Sequence, residues 1–138
     1  NGYLYALERA SGRVLWADAF VRVTTSHGVD LATGRLRYAP DKEPRTGSTV
    51  RDICPASPGA KDWQPSAWSE ATRLLYLPHQ NLCQDATTHD TGYIEGTPYL
   101  GATVKMQGVA GEARGRFTAW DPLTHAARWS VEEHFPVW

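Results

Sequence analysis

The sequence lacks an excess of charge of either sign. Its 138 residues carry 14 lysines and arginines against 15 aspartates and glutamates, a net charge of −1. Proteins that bind nucleic acids need a basic surface to neutralise rows of phosphates. The composition therefore excludes a nucleic-acid-binding protein.

Long apolar runs are also missing. The longest, such as Leu74–Leu77, are far shorter than the roughly 20 residues that a bilayer-spanning helix needs. We therefore predict no membrane span. The chain begins without methionine and without the basic and apolar regions of a signal peptide, and opens on the strand-like Gly2–Leu7. We expect it to be an internal piece of a longer protein.

Helical periodicity is absent. No segment keeps a 3.6-residue apolar period over ten residues, and 12 glycines and 9 prolines interrupt the chain. Short runs of aromatic and β-branched residues, separated by turn-forming residues, predict strands instead. These runs are Tyr3–Leu7, Ala19–Thr25, Leu74–Leu77, Tyr99–Val104, Arg116–Trp120 and Arg128–Val131. The sequence predicts an all-β protein with long loops over 39–62 and 84–97.

Several catalytic and metal-binding patterns are missing as well. The chain has no Gly-x-Ser-x-Gly and no Gly-x-x-x-x-Gly-Lys, so neither a hydrolase nor a P-loop is supported. Its five histidines never lie two or four positions apart, which leaves a zinc site unsupported.

The two cysteines, Cys54 and Cys83, lie too far apart for a Cys-x-x-Cys motif. A disulfide that closed this loop would contribute about 3–4 kcal/mol and would favour an oxidising compartment. At this point two unrelated buried thiols explain the spacing equally well.

An internal repeat relates Ala6–Trp16 to Ala119–Trp129. Both copies have an acidic residue two positions after the alanine, a Ser or Thr three positions later, and tryptophan at the end. The pattern predicts a hairpin with a capped tight turn, in which Gly12 supplies a positive φ. The second copy has His125 where glycine is expected, so we expect its turn to differ. Val29–Leu36 is a partial copy without the tryptophan.

These features resemble the quinoprotein alcohol dehydrogenases of the methanol dehydrogenase type, which use pyrroloquinoline quinone (PQQ). The segments that carry the resemblance are Asn1–Arg9, Gly28–Asp30, Asp52–Pro65, Asn81–Asp85, Gly92–Ala102 and Phe135–Trp138. The resemblance implies an eight-bladed β-propeller. A ring of eight blades of ~40–45 residues each is longer than this chain. Residues 1–138 would therefore form a partial domain of about three blades. In this fold Trp16 and Trp129 would be docking residues, buried between neighbouring blades.

The resemblance also implies a cofactor site. Asp62 matches a position that hydrogen-bonds the quinone, Trp63 adjoins it, and Trp138 matches an indole that lines the cofactor chamber. We expect the three to face one cavity on the propeller axis. A turn-capping role for Asp62 and a blade-packing role for the two tryptophans are the alternatives. Cys54 and Cys83 match a disulfide of the family.

The implied reaction is oxidation of a primary alcohol to an aldehyde by hydride transfer to PQQ, with a calcium or lanthanide ion as Lewis acid. The resemblance places the catalytic base and the metal ligands upstream of Asn1, so we expect no catalytic or metal-ligating residue here and no activity from the isolated chain. It further implies a periplasmic enzyme, with a cytochrome c as electron acceptor and the rest of the propeller as partner. The alternative is a non-catalytic propeller that acts as an envelope assembly scaffold. Such a protein would share the tryptophan repeat but not the segment Asp52–Pro65, which contains the Cys54-Pro55 pair.

Overall fold

The computed structural model describes residues 1–137; Trp138 lies outside the described residues. Eleven strands, β1 to β11, and one short 3-10 turn at Pro40–Lys42 follow one another without an α-helix in the described part. The strands are, in order, Tyr3–Leu7, Val14–Ala19, Ser26–Asp30, Arg35–Tyr38, Thr49–Ile53, Ala67–Ser69, Leu74–Gln80, Leu82–Thr88, Ala102–Gly108, Gly115–Asp121 and Ala126–Glu133. The all-β prediction is confirmed. No helix of residues 1–137 is long and apolar enough to cross a bilayer.

The strands form four antiparallel sheets within the described residues. One has four strands in the order β6-β7-β10-β11, another has three in the order β5-β8-β9, and β1-β2 and β3-β4 are hairpins. These open sheets are the partial propeller that the sequence predicts. The four-stranded sheet has the number of strands of one propeller blade, and β8 and β9 of the three-stranded sheet come between its β7 and β10 in the chain.

Several strand boundaries differ from the sequence-based prediction. The loop predicted over 39–62 contains β5, and β8 extends to Thr88 into the loop predicted over 84–97. Conversely, β2 ends at Ala19, where the apolar pattern predicted a strand to Thr25. Strand β5 pairs irregularly with β8, with a register shift between Val50 and Ile53. The residues of β8 with which it pairs lie 31 to 38 positions later in the chain, so a local pattern could not reveal the pairing.

Two of the sheets share one run of backbone. Strand β7 ends at Gln80 and β8 begins at Leu82, so a single residue, Asn81, separates a strand of one sheet from a strand of the other. Side chains on both sides of this connection are buried: Leu77, Gln80 and Cys83 are at most 2% exposed. The end of β7 is therefore the point where the two larger sheets are joined.

The predicted turn chemistry is present in the hairpins. The carboxylate of Asp30 accepts hydrogen bonds from the Thr33 hydroxyl and the Ala32 amide, both at 2.9 Å, and these bonds lower the pKa of Asp30. The carboxylate of Asp121 caps the later turn in the same way by accepting from the Leu123 amide at 2.9 Å. The acidic residues of these turns are therefore structural caps.

The expectation that the second repeat has a different turn is wrong. His125 has φ +57°, in the left-handed region that Gly12 occupies at +74°. Histidine tolerates this region better than most residues with a Cβ. The pairing is also repeated, since Trp16 lies opposite Ala6 and Trp129 lies opposite Ala119.

The β1-β2 hairpin contacts the four-stranded sheet through its tryptophan. The rings of Trp16 and His125 lie 4.8 Å apart, centroid to centroid, and Nδ1 of His125 is 3.0 Å from Oδ2 of Asp18. Trp16 is half-buried by this contact. The residue that departs from the repeat is thus the one on which the first tryptophan packs.

Burial of Trp129 between two neighbouring sheets is not seen within residues 1–137, where no sheet lies on the outer side of β11. Trp129 is 44% exposed and packs against two aromatic rings of its own sheet, Tyr76 and Phe117, each 5.9 Å away by ring centroids. Strand β11 is the edge of the sheet and pairs with β10 alone among the described strands. No second sheet of residues 1–137 pairs beyond this edge, so one side of the indole remains open to solvent.

Cys54, just after β5, and Cys83, near the start of β8, form the predicted disulfide. Both are almost completely buried, and the guanidinium of Arg22 lies 3.0 Å from the Sγ of Cys54. Arg22 also pairs with both carboxylate oxygens of Asp52, and this hydrogen-bonded pair lowers the pKa of Asp52. The disulfide therefore lies under an ion pair that shields it.

We predict that His125→Asn lowers the free energy of unfolding by about 1 kcal/mol, the usual contribution of an aromatic pair. Asparagine retains the left-handed backbone but removes the ring on which Trp16 packs. Urea unfolding measures the change. Leu123→Ala, on the same turn with 73% of its side chain exposed, is the matched control and should change little; equal losses in both variants would contradict the prediction.

We predict that the double variant Cys54→Ala, Cys83→Ala loses about 3–4 kcal/mol of stability, because the disulfide closes a loop with a sequence separation of 29 residues. Denaturant unfolding of the variant and of the oxidised wild type gives the difference. A loss below about 1 kcal/mol would show that the contacts around Arg22, and not the covalent bond, hold this junction.

We predict that stability falls as the pH is lowered from 6.5 towards 4, because of His79. Burial, and secondarily Arg116, lowers the pKa of this 1%-exposed histidine from 6.5 to about 4. In that window the unfolded chain binds a proton that the folded chain does not, at a cost of about 3 kcal/mol over the interval.

His79→Gln retains a donor for Thr118 Oγ1, which lies 2.9 Å from His79 Nε2, and should flatten the pH dependence of unfolding. His89→Gln, at an exposed histidine, should leave the wild-type slope unchanged. A wild-type stability that is constant from pH 6.5 to 4 would contradict the assignment.

Candidate functional site

The Cys-Pro loop, residues 54–64, is irregular but firmly held on β8. The Ala56 amide donates to Leu82 O at 2.8 Å, and the Ser57 amide donates to the side-chain oxygen of Gln84 at 2.7 Å. Gln84 is itself 7% exposed. Backbone groups that no strand pairing satisfies are bonded to strand β8 instead, as buried polar groups require.

Gln80, the last residue of β7, holds the middle of the Cys-Pro loop. Its amide donates to Ala60 O at 2.7 Å and its side-chain nitrogen donates to Gly59 O at 3.0 Å. Gln80 is completely buried. Gly59 has φ +86°, a turn that a side chain would strain. The loop thus reverses direction over the shared end of β7.

Beyond this anchor the loop presents Asp62 and Trp63 to solvent. The indole of Trp63 is 86% exposed and Asp62 is also exposed. The backbone behind them is fixed: the Asp62 amide donates to Oε1 of Gln64 at 2.8 Å, and Lys61 Nζ donates to the carbonyl oxygen of Gln64. Asp62 and Trp63, called the Cys-Pro tip below, therefore combine a backbone held by hydrogen bonds with two side chains exposed to solvent.

The segment after β11 lies against the same region. Gln64 Nε2 donates to Val137 O, which joins the Cys-Pro loop to this segment. Gly115, at the start of β10, pairs with Gln80. A Cβ at Gly115 would collide with Phe135 O and lie 2.9 Å from a methyl group of Val137. The absence of a side chain there lets the segment lie directly on the sheet.

The structure thus brings two of the three predicted site residues to one tip and places the third beyond the described residues. Asp62 and Trp63 are adjacent, and Asp62 is linked through Gln64 to Val137, the residue before Trp138. The shared cavity of Asp62, Trp63 and Trp138 stays a prediction. Sequence reasoning missed Gln64: it lies within the segment Asp52–Pro65, but nothing in the local sequence indicates that its amide is buried.

The two exposed side chains at this tip, Asp62 and Trp63, differ in how well they would suit a planar quinone ligand. An indole that is 86% exposed offers an unobstructed aromatic face. An exposed carboxylate suits a hydrogen-bonding role, but it would repel the carboxylates of PQQ unless a cation were near. Lys61, the adjacent cation, is directed at the carbonyl oxygens of Asp62 and Gln64. Lys61 is thus engaged with backbone oxygens and does not pair with the Asp62 carboxylate, so the exposed indole is the feature of the tip that suits a quinone.

The described residues hold one group of side chains close enough to bind a metal ion, and it does not fit one. Asp52, Cys54 and Cys83 place their ligand atoms within 4.8 Å of one another. Both sulfurs are in the disulfide, and the carboxylate is paired with Arg22. A neighbouring groove of about 510 Å³ is lined by the same ion pair. Metal chemistry at this point is therefore unsupported.

Comparison with known proteins gives related sequences along the whole chain. No protein-family model matches. The lanthanide-dependent methanol dehydrogenases of Methylacidiphilum fumariolicum and Methylorubrum extorquens are 37% and 38% identical, and the alignments cover 100% of this chain but 23% and 25% of those proteins. The quinoprotein ethanol dehydrogenase of Pseudomonas aeruginosa is 32% identical, and that alignment covers 100% of this chain and 23% of that protein. The chain therefore spans about a quarter of the length of these curated relatives.

Solved structures agree with the sequence matches. A europium-containing methanol dehydrogenase superposes with a TM-score of 0.92 at 36% identity, over 100% of this chain and 24% of that one. The quinohemoprotein alcohol dehydrogenase from Comamonas testosteroni gives 0.80 at 26% identity, over 100% and 22%. Sequence and fold thus point to the same set of proteins.

Proposed function

Because this chain is homologous along its whole length to quinoprotein alcohol dehydrogenases, we propose that it forms part of a PQQ-dependent enzyme that oxidises primary alcohols to aldehydes. The observation that carries the proposal is the agreement of full-length sequence identity with a TM-score of 0.92 to a methanol dehydrogenase. A fold shared without sequence identity would support the architecture alone.

Within that enzyme, the chain supplies one wall of the quinone chamber. When bound, PQQ supplies the two-electron acceptor for the alcohol. Trp63 would lie against the ring system, Asp62 would hydrogen-bond the quinone, and Trp138 would line the chamber. The backbone behind Asp62 is held by Gln64 and Lys61, so the tip need not reorganise when a ligand arrives.

The metal ion and the catalytic base belong to other parts of the proposed enzyme. The relatives from Methylacidiphilum and Methylorubrum are lanthanide-dependent by name, which favours a lanthanide over calcium. The two electrons taken from each alcohol must then leave the enzyme, and we propose a cytochrome c as their acceptor. The buried Cys54–Cys83 disulfide is consistent with a periplasmic enzyme, because disulfides persist in oxidising compartments.

We predict that the 138-residue chain binds PQQ weakly, through the Cys-Pro tip, and does not oxidise alcohols. In ¹⁵N NMR spectra, millimolar PQQ should shift the Asp62 amide and the Trp63 indole N–H in fast exchange. Trp68 is the control: its indole is 47% exposed but donates to Glu70 Oε1 at 2.9 Å. If Trp68 shifts as much as Trp63, the interaction is non-specific stacking and the proposed wall is wrong.

The second arm of this prediction measures dye-linked oxidation of methanol and ethanol by the chain, supplied with PQQ and either La³⁺ or Ca²⁺. We expect no rate above the protein-free control, because Lewis-acid and general-base catalysis contribute most of the lowering of the barrier. Turnover would show that the chain carries its own base and metal site, against the proposed division of the enzyme.

A further inference from the structure

We propose that Gln64 is a positioning residue that couples the Asp62-Trp63 tip to the segment His134–Val137, so that the two pieces of the proposed cofactor wall are held as one unit. The coupling itself rests on hydrogen-bond geometry. Its consequence for PQQ rests on the proposed function.

The side-chain amide of Gln64 is used at both ends. Its oxygen accepts the Asp62 amide at 2.8 Å, and its nitrogen donates to Val137 O, 73 positions further along the chain. Gln64 is 6% exposed, so water does not compete for these bonds. Of glutamine, glutamate and alanine at this position, only the glutamine carboxamide can accept one bond and donate the other.

Nothing else in the described chain links the two segments by hydrogen bonds. Neither residues 61–64 nor residues 134–137 belong to a strand. Among residues 1–137, the Gln64 amide makes the only hydrogen bond between them. Each segment is instead anchored separately to the sheets, the Cys-Pro loop through Gln80 and the other by its close approach to Gly115.

The hydrogen bonds that anchor the Cys-Pro loop to the sheet come earlier in the chain than the Cys-Pro tip, and they do not fix the orientation of the tip. Gln80 holds Gly59 and Ala60, two to four residues before the exposed side chains. Trp63 is too exposed to be held by packing of its own indole. The orientation of Asp62 and Trp63 therefore depends on Gln64, with the Lys61 ammonium bound to the carbonyl oxygens on the same turn.

Three variants of the 138-residue chain separate the two bonds. Gln64→Ala removes both. Gln64→Glu retains an acceptor for the Asp62 amide but has no donor for Val137 O. Gln107→Ala, on the exposed face of β9, is the matched control. The measurements are amide hydrogen exchange and backbone chemical shifts by NMR, with the resonances of β7 and β10 as a check that each variant is folded.

We expect Gln64→Ala to raise the exchange rate of the Asp62 amide about tenfold, the usual effect of one net hydrogen bond, and to shift the resonances of residues 134–137. Gln64→Glu should shift residues 134–137 equally while the Asp62 amide keeps its protection. A loss of overall stability would raise the exchange rate of the Asp62 amide in both variants. It could not leave this amide protected in Gln64→Glu while the resonances of residues 134–137 shift. Wild-type shifts at 134–137 in both variants would overturn the coupling.

PQQ titration of the same samples tests the consequence for the cofactor. We expect the apparent Kd read at the Trp63 indole to rise several-fold in Gln64→Ala and to be unchanged in Gln107→Ala. An unchanged Kd in Gln64→Ala would overturn the positioning role. If the wild type itself shows no shift at Asp62 and Trp63, the proposed function fails, and the coupling is decided by the exchange data alone.

Discussion

The passage of the backbone from β7 into β8 is the constraint on which the rest of the structure depends. With one residue between the two strands, the four-stranded and the three-stranded sheets are joined by a very short connection. Asn81 secures the bend: its amide donates to Arg114 O and its side-chain nitrogen donates to Glu112 Oε2, each at 2.8 Å. The disulfide fixes the start of β8 to the end of β5 a few residues later. The Cys-Pro loop therefore begins at the disulfide and is bonded to the strands on both sides of this short connection.

This placement explains how an irregular loop can present side chains reproducibly. Loops carry functional groups well when a rigid scaffold holds their backbone. Here the scaffold acts through buried glutamines: Gln84 and Gln80 hold the loop to β8 and β7, and Gln64 holds it to Val137. A glutamine amide can donate and accept at once, so each of these residues can satisfy loop backbone groups without carrying a charge into the interior. The exposed Asp62 and Trp63 then need no packing of their own.

The repeat shows how much local pattern can predict. Asp30 and Asp121 cap their turns as expected, and the two tryptophans occupy the same register opposite an alanine. The surroundings of those tryptophans were not predictable in the same way. Trp16 packs on His125, a residue that looked like a defect in the motif, while Trp129 is half in solvent on an edge strand. Whether a docking residue is buried depends on the sheet beside it, and a repeat says nothing about that neighbour.

By itself the sequence determined the features whose partners lie within a few residues: the hairpin turns, the strand runs and the absence of helices. It also indicated, by resemblance, the disulfide and the residues of the Cys-Pro tip. The physical reason is that an Asx turn closes over two or three residues, so its donor and acceptor appear together in the printed chain. Only the tertiary structure decided that the amide of Gln64 meets Val137, 73 positions later, and that Gly115 makes room for Phe135. Hydrogen bonds and close approaches between distant segments exist only after the sheets have been joined, because the joining sets the distances that those groups must span.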